Sequence, residues 1–216
     1  MCLIYCSIRD VDYIHPIEAL VPGTQGRVLA VLANTESELT MRGVAELAGV
    51  SPQQASVVLR RLVELGLVER RDRPPVALVR LVRENLAAEL IVALARLRDE
   101  AVARLRRCAA EIEPAPASLV VFGSFARGNA DARSDIDVLV VRPKMTADSF
   151  DVWTDSLGRW ADQASHALGN PVNLVEASVE ELPDLLVQKA PSLWSDIATE
   201  GMVLVGSSLA DLAAAA

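Results

Sequence analysis

The chain has 216 residues, which allows one large domain or two small ones. Its 29 Asp and Glu outnumber its 21 Lys and Arg, for a formal net charge of −8, and 51 % of its residues are hydrophobic. That composition excludes a disordered chain, and uniform acidity would argue against nucleic acid as a partner. Cys2, Cys6 and Cys108 form no C-x-x-C pair, so neither a disulfide framework nor a zinc ribbon is expected. With only His15 and His166, a histidine-based metal site is not expected either. No apolar run reaches the roughly 18–20 residues needed to cross a bilayer. The first residues carry acids and no basic stretch, unlike a signal peptide. The expectation is no membrane association and a reducing cytoplasm.

The acidity is not uniform. Residues 1–40 hold 2 basic and 5 acidic residues, residues 41–83 hold 8 and 4, residues 84–113 hold 5 and 6, and residues 114–216 hold 6 and 14. A basic block therefore precedes an acidic C-terminal half, an asymmetry that suggests two domains with different partners. The boundary is expected at Glu113-Pro114-Ala115-Pro116-Ala117, where two prolines stop a helix and extend the chain.

In the basic block, Val28, Leu29, Val31 and Leu32 suit a short helix between Gly23 and Asn34, and a second helix is expected over about 41–48. Gly49-Val50 turns, Ser51 caps a third helix, and Pro52 occupies its first position. Ala55, Val58, Leu59, Leu62 and Leu65 form one apolar stripe on that helix, with Gln53, Gln54, Ser56, Arg60 and Arg61 off it. Gly66 ends the helix. Two short runs around Asp72-Arg73-Pro74-Pro75 then form a hairpin, with Arg70, Arg71 and Arg73 near its tip.

This order of elements, and the string A-G-V-S-x-x-x-A-S-x-x-L-x-x-L-x-x-x-G-L-V-x-R, resemble the winged helix-turn-helix of MarR- and ArsR-type bacterial regulators over residues 20–83. The resemblance implies binding to double-stranded DNA. Ser51, Gln53, Gln54 and Ser56 would face base edges in the major groove, while Arg60, Arg61, Arg70, Arg71 and Arg73 would neutralise phosphates. A winged helix used only for protein contacts is the alternative.

Residues 84–113 contain neither Pro nor Gly. Leu86, Leu90, Leu94, Leu97, Ala101, Leu105, Cys108 and Ile112 recur at steps of 3 and 4, the seam of one helix about 40 Å long. The seam would pack on the chain's own domains or on a second copy, and a homodimer is the favoured expectation because winged-helix regulators bind paired half-sites. Cys108 reads as a small apolar core residue.

In the acidic half, Ser118-Leu-Val-Val-Phe122 reads as a buried strand running directly into Gly123-Ser124. A polar loop leads to Ser134-Asp135-Ile136-Asp137 and an apolar run to Val141, a second strand on which Asp135 and Asp137 share a face. Two carboxylates so placed repel one another unless a cation lies between them, and hard oxygens suit Mg²⁺. A strand ending at Gly-Ser beside a helix start offers backbone N–H groups to phosphate. Together these features suit phosphoryl or nucleotidyl transfer.

The string GSFARGNADARSDIDVLVV resembles the minimal group of polymerase-β-type nucleotidyltransferases, whose signature is G-S, about ten residues, then D-x-D. By that resemblance Gly123 and Ser124 hold nucleotide phosphates, Arg127 and Ser134 assist, and Asp135 and Asp137 bind Mg²⁺ and are the catalytic carboxylates. The cofactors implied are Mg²⁺ and a nucleoside triphosphate, ATP first. The group supplies a third carboxylate from a V-D-L-V string, and this chain reads Val172-Asn173-Leu174-Val175. Asn173 offers an amide oxygen but no charge and no base. Glu176, three residues on, would face the other way in a regular strand and could substitute only at a bulge.

Residues 147–168 are expected as a helix with Trp153 and Trp160 in its core, followed by a third strand, helices at about 179–189 and 191–200, a last strand over 201–206, and a frayed tail. The expected fold is α+β: an N-terminal winged helix, a long connecting helix over 84–113, and a small mixed-sheet nucleotidyltransferase-fold domain over 114–206. Three functions follow. One is a DNA-binding, antitoxin-like regulator that transfers a nucleotide, AMP from ATP first, to a protein acceptor such as a partner toxin. Another is a catalytically impaired regulator that senses a nucleotide. The third is a tRNA-modifying toxin, against which the acidic half argues.

Overall fold

The computed structural model describes residues 11–187 and 193–215. Cys2, Cys6, and the parts of the two expected helices that fall on 188–192, lie outside the described residues. The chain divides into two units, His15–Arg98 and a second made of residues up to Ile14 together with Asp99 onward.

The first unit opens with α1 (Pro16–Leu20) and α2 (Thr24–Asn34). A two-residue strand β1 (Leu39–Thr40) leads into α3 (Met41–Leu47), where the Thr40 hydroxyl accepts from Gly43 N–H. Helix α4 (Pro52–Glu64) begins with a reciprocal cap: Ser51 Oγ accepts from Gln54 N–H at 3.2 Å, and Gln54 Oε1 accepts from Ser51 N–H at 3.0 Å. Its stripe buries Ala55, Leu59 and Leu62, while Leu65, at the C-cap, is exposed. Strands β2 (Val68–Arg73) and β3 (Val76–Leu81) pair antiparallel as the wing, with β1 on the other side of β3. Val28, Leu29, Leu32, Val44, Leu59, Leu62, Val79 and Leu81 close one core beneath this winged helix.

The connection expected as a single helix is two, α5 (Leu86–Ala95) and α6 (Leu97–Ala109), with Arg96 in the turn between them. The halves serve different cores. Helix α5 buries Ala88 and packs Ile91, Val92, Leu94 and Ala95 on the winged-helix core, leaving Leu86 and Leu90 of the expected seam exposed. Helix α6 keeps the seam, burying Ala101 and Leu105, with Cys108 half-buried.

The second unit is built on a four-stranded sheet of order β6-β5-β4-β7. Strand β4 (Ser118–Phe122) runs into the one-and-a-half-turn helix α7 (Gly123–Arg127), and β5 (Ile136–Arg142) returns antiparallel to β4. The 22-residue α8 (Ala147–Leu168) crosses over to β6 (Val172–Ser178), parallel to β5. Then come α9 (Leu182–Leu186), α10 (Leu193–Glu200) and β7 (Met202–Gly206), antiparallel to β4. Trp153 and Trp160 of α8 are fully buried, as their spacing implied.

The tail expected to fray is a helix, α11 (Leu209–Ala215), because Leu209 enters the core formed by Val120, Phe122, Leu139, Val141, Leu182 and Ile197. Leu209→Ala should therefore cost about 2–5 kcal/mol of stability, the range for truncating a buried leucine. Thermal or urea unfolding measures it, and an unchanged midpoint would mean that α11 adds nothing to that core.

Candidate nucleotide site and DNA-binding face

Asp137 is the centre of the C-terminal site. On β5 it stands opposite Phe122 of β4 and level with Asn173 of β6, so the last residue before Gly123 and the expected third-carboxylate position flank it. Gly123 opens α7 at φ +70°, where a side chain is disfavoured, and a Cβ there would lie 2.6 Å from Asp137 Oδ2. Only a glycine lets backbone and carboxylate approach this closely.

Asp135 precedes β5 by one residue, yet it faces the same side, because Asn173 Nδ2 donates to its Oδ2 at 3.0 Å. Asp135 is exposed and Asp137 half-buried. Burial, first of all, pushes the Asp137 carboxyl above the usual aspartate range; the Asn173 amide pulls it down, the charge on Asp135 pushes it up, and Arg127 pulls it down. The Asp135, Asp137 and Asn173 trio is thus assembled as the sequence pattern expects, with an amide in the third place.

Glu176 does not fill that place. The β5–β6 ladder runs unbroken from Ile136↔Val172 to Arg142↔Ser178, so no bulge turns Glu176 round. Its carboxylate instead accepts from Trp153 Nε1 at 3.1 Å and pairs with Arg142 at 3.2 Å, on the α8 side of the sheet.

The helper residues have specific partners. Ser124 occupies the second position of α7, and its carbonyl accepts from Asn129 N–H. Arg127 Nη1 pairs with Glu200 of α10 at 2.9 Å. The Ser134 hydroxyl accepts from Asp131 N–H at 2.9 Å and donates to Asp131 Oδ1 at 3.0 Å, so it staples the turn that delivers Asp135. That turn is also held by Asn170, which sequence reasoning passed over as a turn residue. It is 2 % exposed and donates through Nδ2 to the carbonyls of Ala132 and Ser134.

The donor set fits Mg²⁺. Among the described residues no three of His, Cys, Asp and Glu converge into a metal cage, and Mg²⁺ is ordinarily held by one or two carboxylates together with substrate phosphates. Two carboxylates, and a glycine cradle that leaves room beside them, match that demand, while Asn173 turns its Nδ2 donor toward the carboxylates.

On the winged helix, Ser51, Gln53, Gln54, Arg60 and Arg61 are exposed along α4, and Ser56 is half-buried. Ser51 and Gln54 are engaged in the helix cap, which leaves the Gln54 amide nitrogen for other partners. Ser56, Arg60 and Arg70 line one recess of about 100 Å³ where α4 meets the wing. The wing cations are not equivalent. Arg70 pairs with Asp72 at 2.9 Å, and Arg71 pairs with Glu69 at 2.9 Å and Glu38 at 3.0 Å. Among the described residues, Arg60, Arg61 and Arg73 enter no ion pair.

Comparison with known proteins agrees with both units. Residues 21–77 match the MarR family model, and residues 102–190 match the nucleotidyltransferase domain model. Bifunctional uridylyltransferase/uridylyl-removing enzymes of Burkholderia mallei (strain SAVP1) and Burkholderia pseudomallei (strain 668) are 32 % identical over 113 residues, 51 % of this chain. The chain spans only 13 % of their length. A crystal structure of a mutant toxin–antitoxin MntA-HpeT superposes with a TM-score of 0.36 at 17 % identity, covering 53 % of this chain and 81 % of that one. A toxin–antitoxin with AMP-PNP gives 0.34 at 20 % identity, covering 54 % and 82 %.

A raised carboxyl pKa means that the folded protein holds the Asp137 proton more tightly than the unfolded chain does. That contribution favours folding at low pH and is lost as the pH rises through the folded value. In metal-free protein, Asp137→Asn should therefore raise the melting temperature at neutral pH, with the gain vanishing in acid. A pH series of melting curves checks this, and a neutral-pH loss would contradict it.

Proposed function

For a chain that joins a MarR-type winged helix to a nucleotidyltransferase domain, we propose a DNA-binding transcriptional regulator that holds a magnesium-bound nucleoside triphosphate, ATP first, at the Gly123–Asp137 site and has lost efficient nucleotidyl transfer. The observation that carries this reading is Asn173, level with Asp137 and bonded to Asp135, at the position where the resembled group has its third carboxylate. Glu176, turned to Trp153 and Arg142, offers no replacement.

Gly123 and Ser124, at the start of α7, would present N–H groups to the phosphates, and Asp135 and Asp137 would hold the metal ion. When bound, Mg²⁺ would neutralise phosphate charge and offset the repulsion between the two carboxylates. Arg127, whose charge lowers the Asp137 pKa, would have to share that charge between Glu200 and a phosphate. An acceptor hydroxyl approaching this site meets an amide, which takes no proton. The nucleotide is retained as a ligand.

On the other unit, α4 reads the major groove through Gln53, Gln54 and Ser56 while Arg60, Arg61 and Arg73 contact phosphates. Paired half-sites call for a homodimer, and Leu86 and Leu90, exposed on α5, are among the apolar residues available to a second copy. The cytoplasm is the compartment that such a regulator works in.

A second reading keeps slow transfer of AMP to a protein acceptor, in the manner of an antitoxin acting on its partner toxin. It is favoured by the retention of both Asp135 and Asp137 on one face. One experiment separates the two. The protein is incubated with Mg²⁺ and each labelled triphosphate, with and without the product of the neighbouring gene. Tight binding without covalent label, abolished in Asp135→Ala with Asp137→Ala, supports the sensor. Label on the acceptor supports the transferase, and absence of nucleotide binding removes both readings. In the sensor, Asn173→Asp should restore a third carboxylate and raise label transfer at least about 10-fold, toward the 10²–10⁴-fold worth of a positioned base.

For the DNA face, Arg60→Ala with Arg73→Ala should weaken binding about equally on all sequences. It should also reduce the slope of log K against log salt by about 2, close to 0.9 for each phosphate that is no longer neutralised. An unchanged salt slope, measured by fluorescence anisotropy, would mean that neither arginine touches the backbone of the DNA.

A further inference from the structure

Tyr13 belongs to the nucleotidyltransferase unit although it precedes the winged helix in the chain. It is 6 % exposed. Its ring meets that of Phe125 edge-on, with centroids 5.4 Å apart and planes at 76°. Phe125 is the third residue of α7, directly after Gly123 and Ser124, and is itself buried. The Tyr13 hydroxyl donates to the carbonyl of Leu168, the last residue of α8. Burial pushes the phenol up to about 12, so the hydroxyl is a permanent donor in the physiological range.

Two residues earlier, the carbonyl of Val11 accepts from Asn170 Nδ2 at 3.4 Å. The same amide group holds the carbonyls of Ala132 and Ser134 at 3.2 and 3.0 Å, which fixes the turn before Asp135. Residues 11–13 are therefore attached to both halves of the nucleotide site: to the phosphate helix through Phe125 and to the carboxylate turn through Asn170. The segment is also covalently next to the DNA-binding unit. Ile14 ends one unit, His15 begins the other, and α1 starts at Pro16.

We propose that Tyr13 is a positioning residue of the nucleotide site, and that residues 11–14 form a strap through which occupancy of that site changes the affinity of the winged helix for DNA. The inference rests on the reading of Gly123–Asp137 as a nucleotide site. Phosphate seated on the N–H groups of α7 would pull on that short helix, and the packed Phe125–Tyr13 edge is the contact through which a shift of α7 would reach the strap. Close-packed side chains of this kind shift between discrete arrangements rather than deforming smoothly. The coupling must be reciprocal, so DNA changes nucleotide affinity by the same factor.

The test is a binding cycle on the full chain. The DNA is a duplex selected by the protein from a random-sequence pool, and the nucleotide is the tightest binder among the four common Mg-nucleoside triphosphates. For the wild type, saturating nucleotide should change DNA affinity at least about 5-fold, with the same factor in reverse. Tyr13→Ala should weaken nucleotide binding and bring the coupling factor to within about 2-fold of unity. Tyr13→Phe, which keeps the ring on Phe125 and removes only the bond to Leu168, should recover more than half of the coupling on a logarithmic scale. A merely structural tyrosine would lower the melting temperature and leave the coupling factor alone. Should Tyr13→Ala not fold, Tyr13→Leu carries the same comparison. Folded variants that keep both nucleotide affinity and coupling within about 2-fold of wild type would overturn the strap while leaving the site intact. A wild type that binds nucleotide without any change in DNA affinity would do the same. A wild type that binds no nucleotide would remove the site and the strap together.

Discussion

The approach of the Asp137 carboxylate to the backbone of Gly123 is the constraint around which the C-terminal unit is arranged. It requires a strand that ends at Phe122, a left-handed residue without a side chain at 123, and a neighbouring strand in the register Phe122↔Asp137. The parallel ladder then brings Asn173 level with Asp137 and sends Glu176 to the opposite face. The turn stapled by Ser134 and Asn170 sets Asp135 beside them. Sheet register thus dictates both what the site contains and what it lacks.

Such a site is held against its own electrostatics. A half-buried carboxylate beside a second one has its charged form disfavoured, and the raised Asp137 pKa is the mark of that penalty. The rest of the unit compensates through an apolar core that is nearly complete: Val120, Leu139, Val141 and Leu182 are almost wholly removed from water. The winged helix is the converse. Its charged groups lie on the surface, where exposed pairs such as Arg70–Asp72 add little stability. The Arg71 guanidinium, already bound to Glu69 and Glu38, would have to exchange carboxylate for phosphate to join DNA. Arg60, Arg61 and Arg73, which enter no ion pair among the described residues, would need no such exchange.

Much of this is legible in the sequence because local rules carry it. Ser51-Pro52 with Gln54 announces a capped helix, the stripe Ala55, Leu59, Leu62 gives its buried face, and Gly123-Ser124 with Asp135 and Asp137 gives a strand, a turn and a pair of carboxylates. What escaped depends on which core each residue joins. The regular spacing from Leu86 to Ile112 carries no signal for a break at Arg96, since the break arises where one helix leaves the winged-helix core and the next joins another. The alanine-rich end reads as a tail until Leu209 is seen among Leu182 and Ile197. Asn170 looks like an ordinary turn residue, and its role depends on carbonyls 36 and 38 residues away. Tyr13 is silent in sequence for the same reason, 155 residues from its acceptor.

The uneven charge along the chain has a physical counterpart in this division of labour. A DNA-binding face needs unscreened cations, and a metal–phosphate site needs carboxylates; placed within one domain they would neutralise each other. The basic block on residues 41–83 belongs to one unit, and the acidic excess beyond residue 114 belongs to the other. Separation has its own cost, since a signal then has to pass from one core to the other. The chain crosses between the units at Ile14–His15 and at Arg98–Asp99. Near the first crossing, Val11 and Tyr13 touch residues that neighbour the candidate site: Asn170, Leu168 and Phe125. Along the backbone the site joins the winged helix through Arg98–Asp99, so any signal that takes the first crossing has to pass through the hydrogen bonds and ring contact of Val11 and Tyr13 before it reaches Ile14–His15.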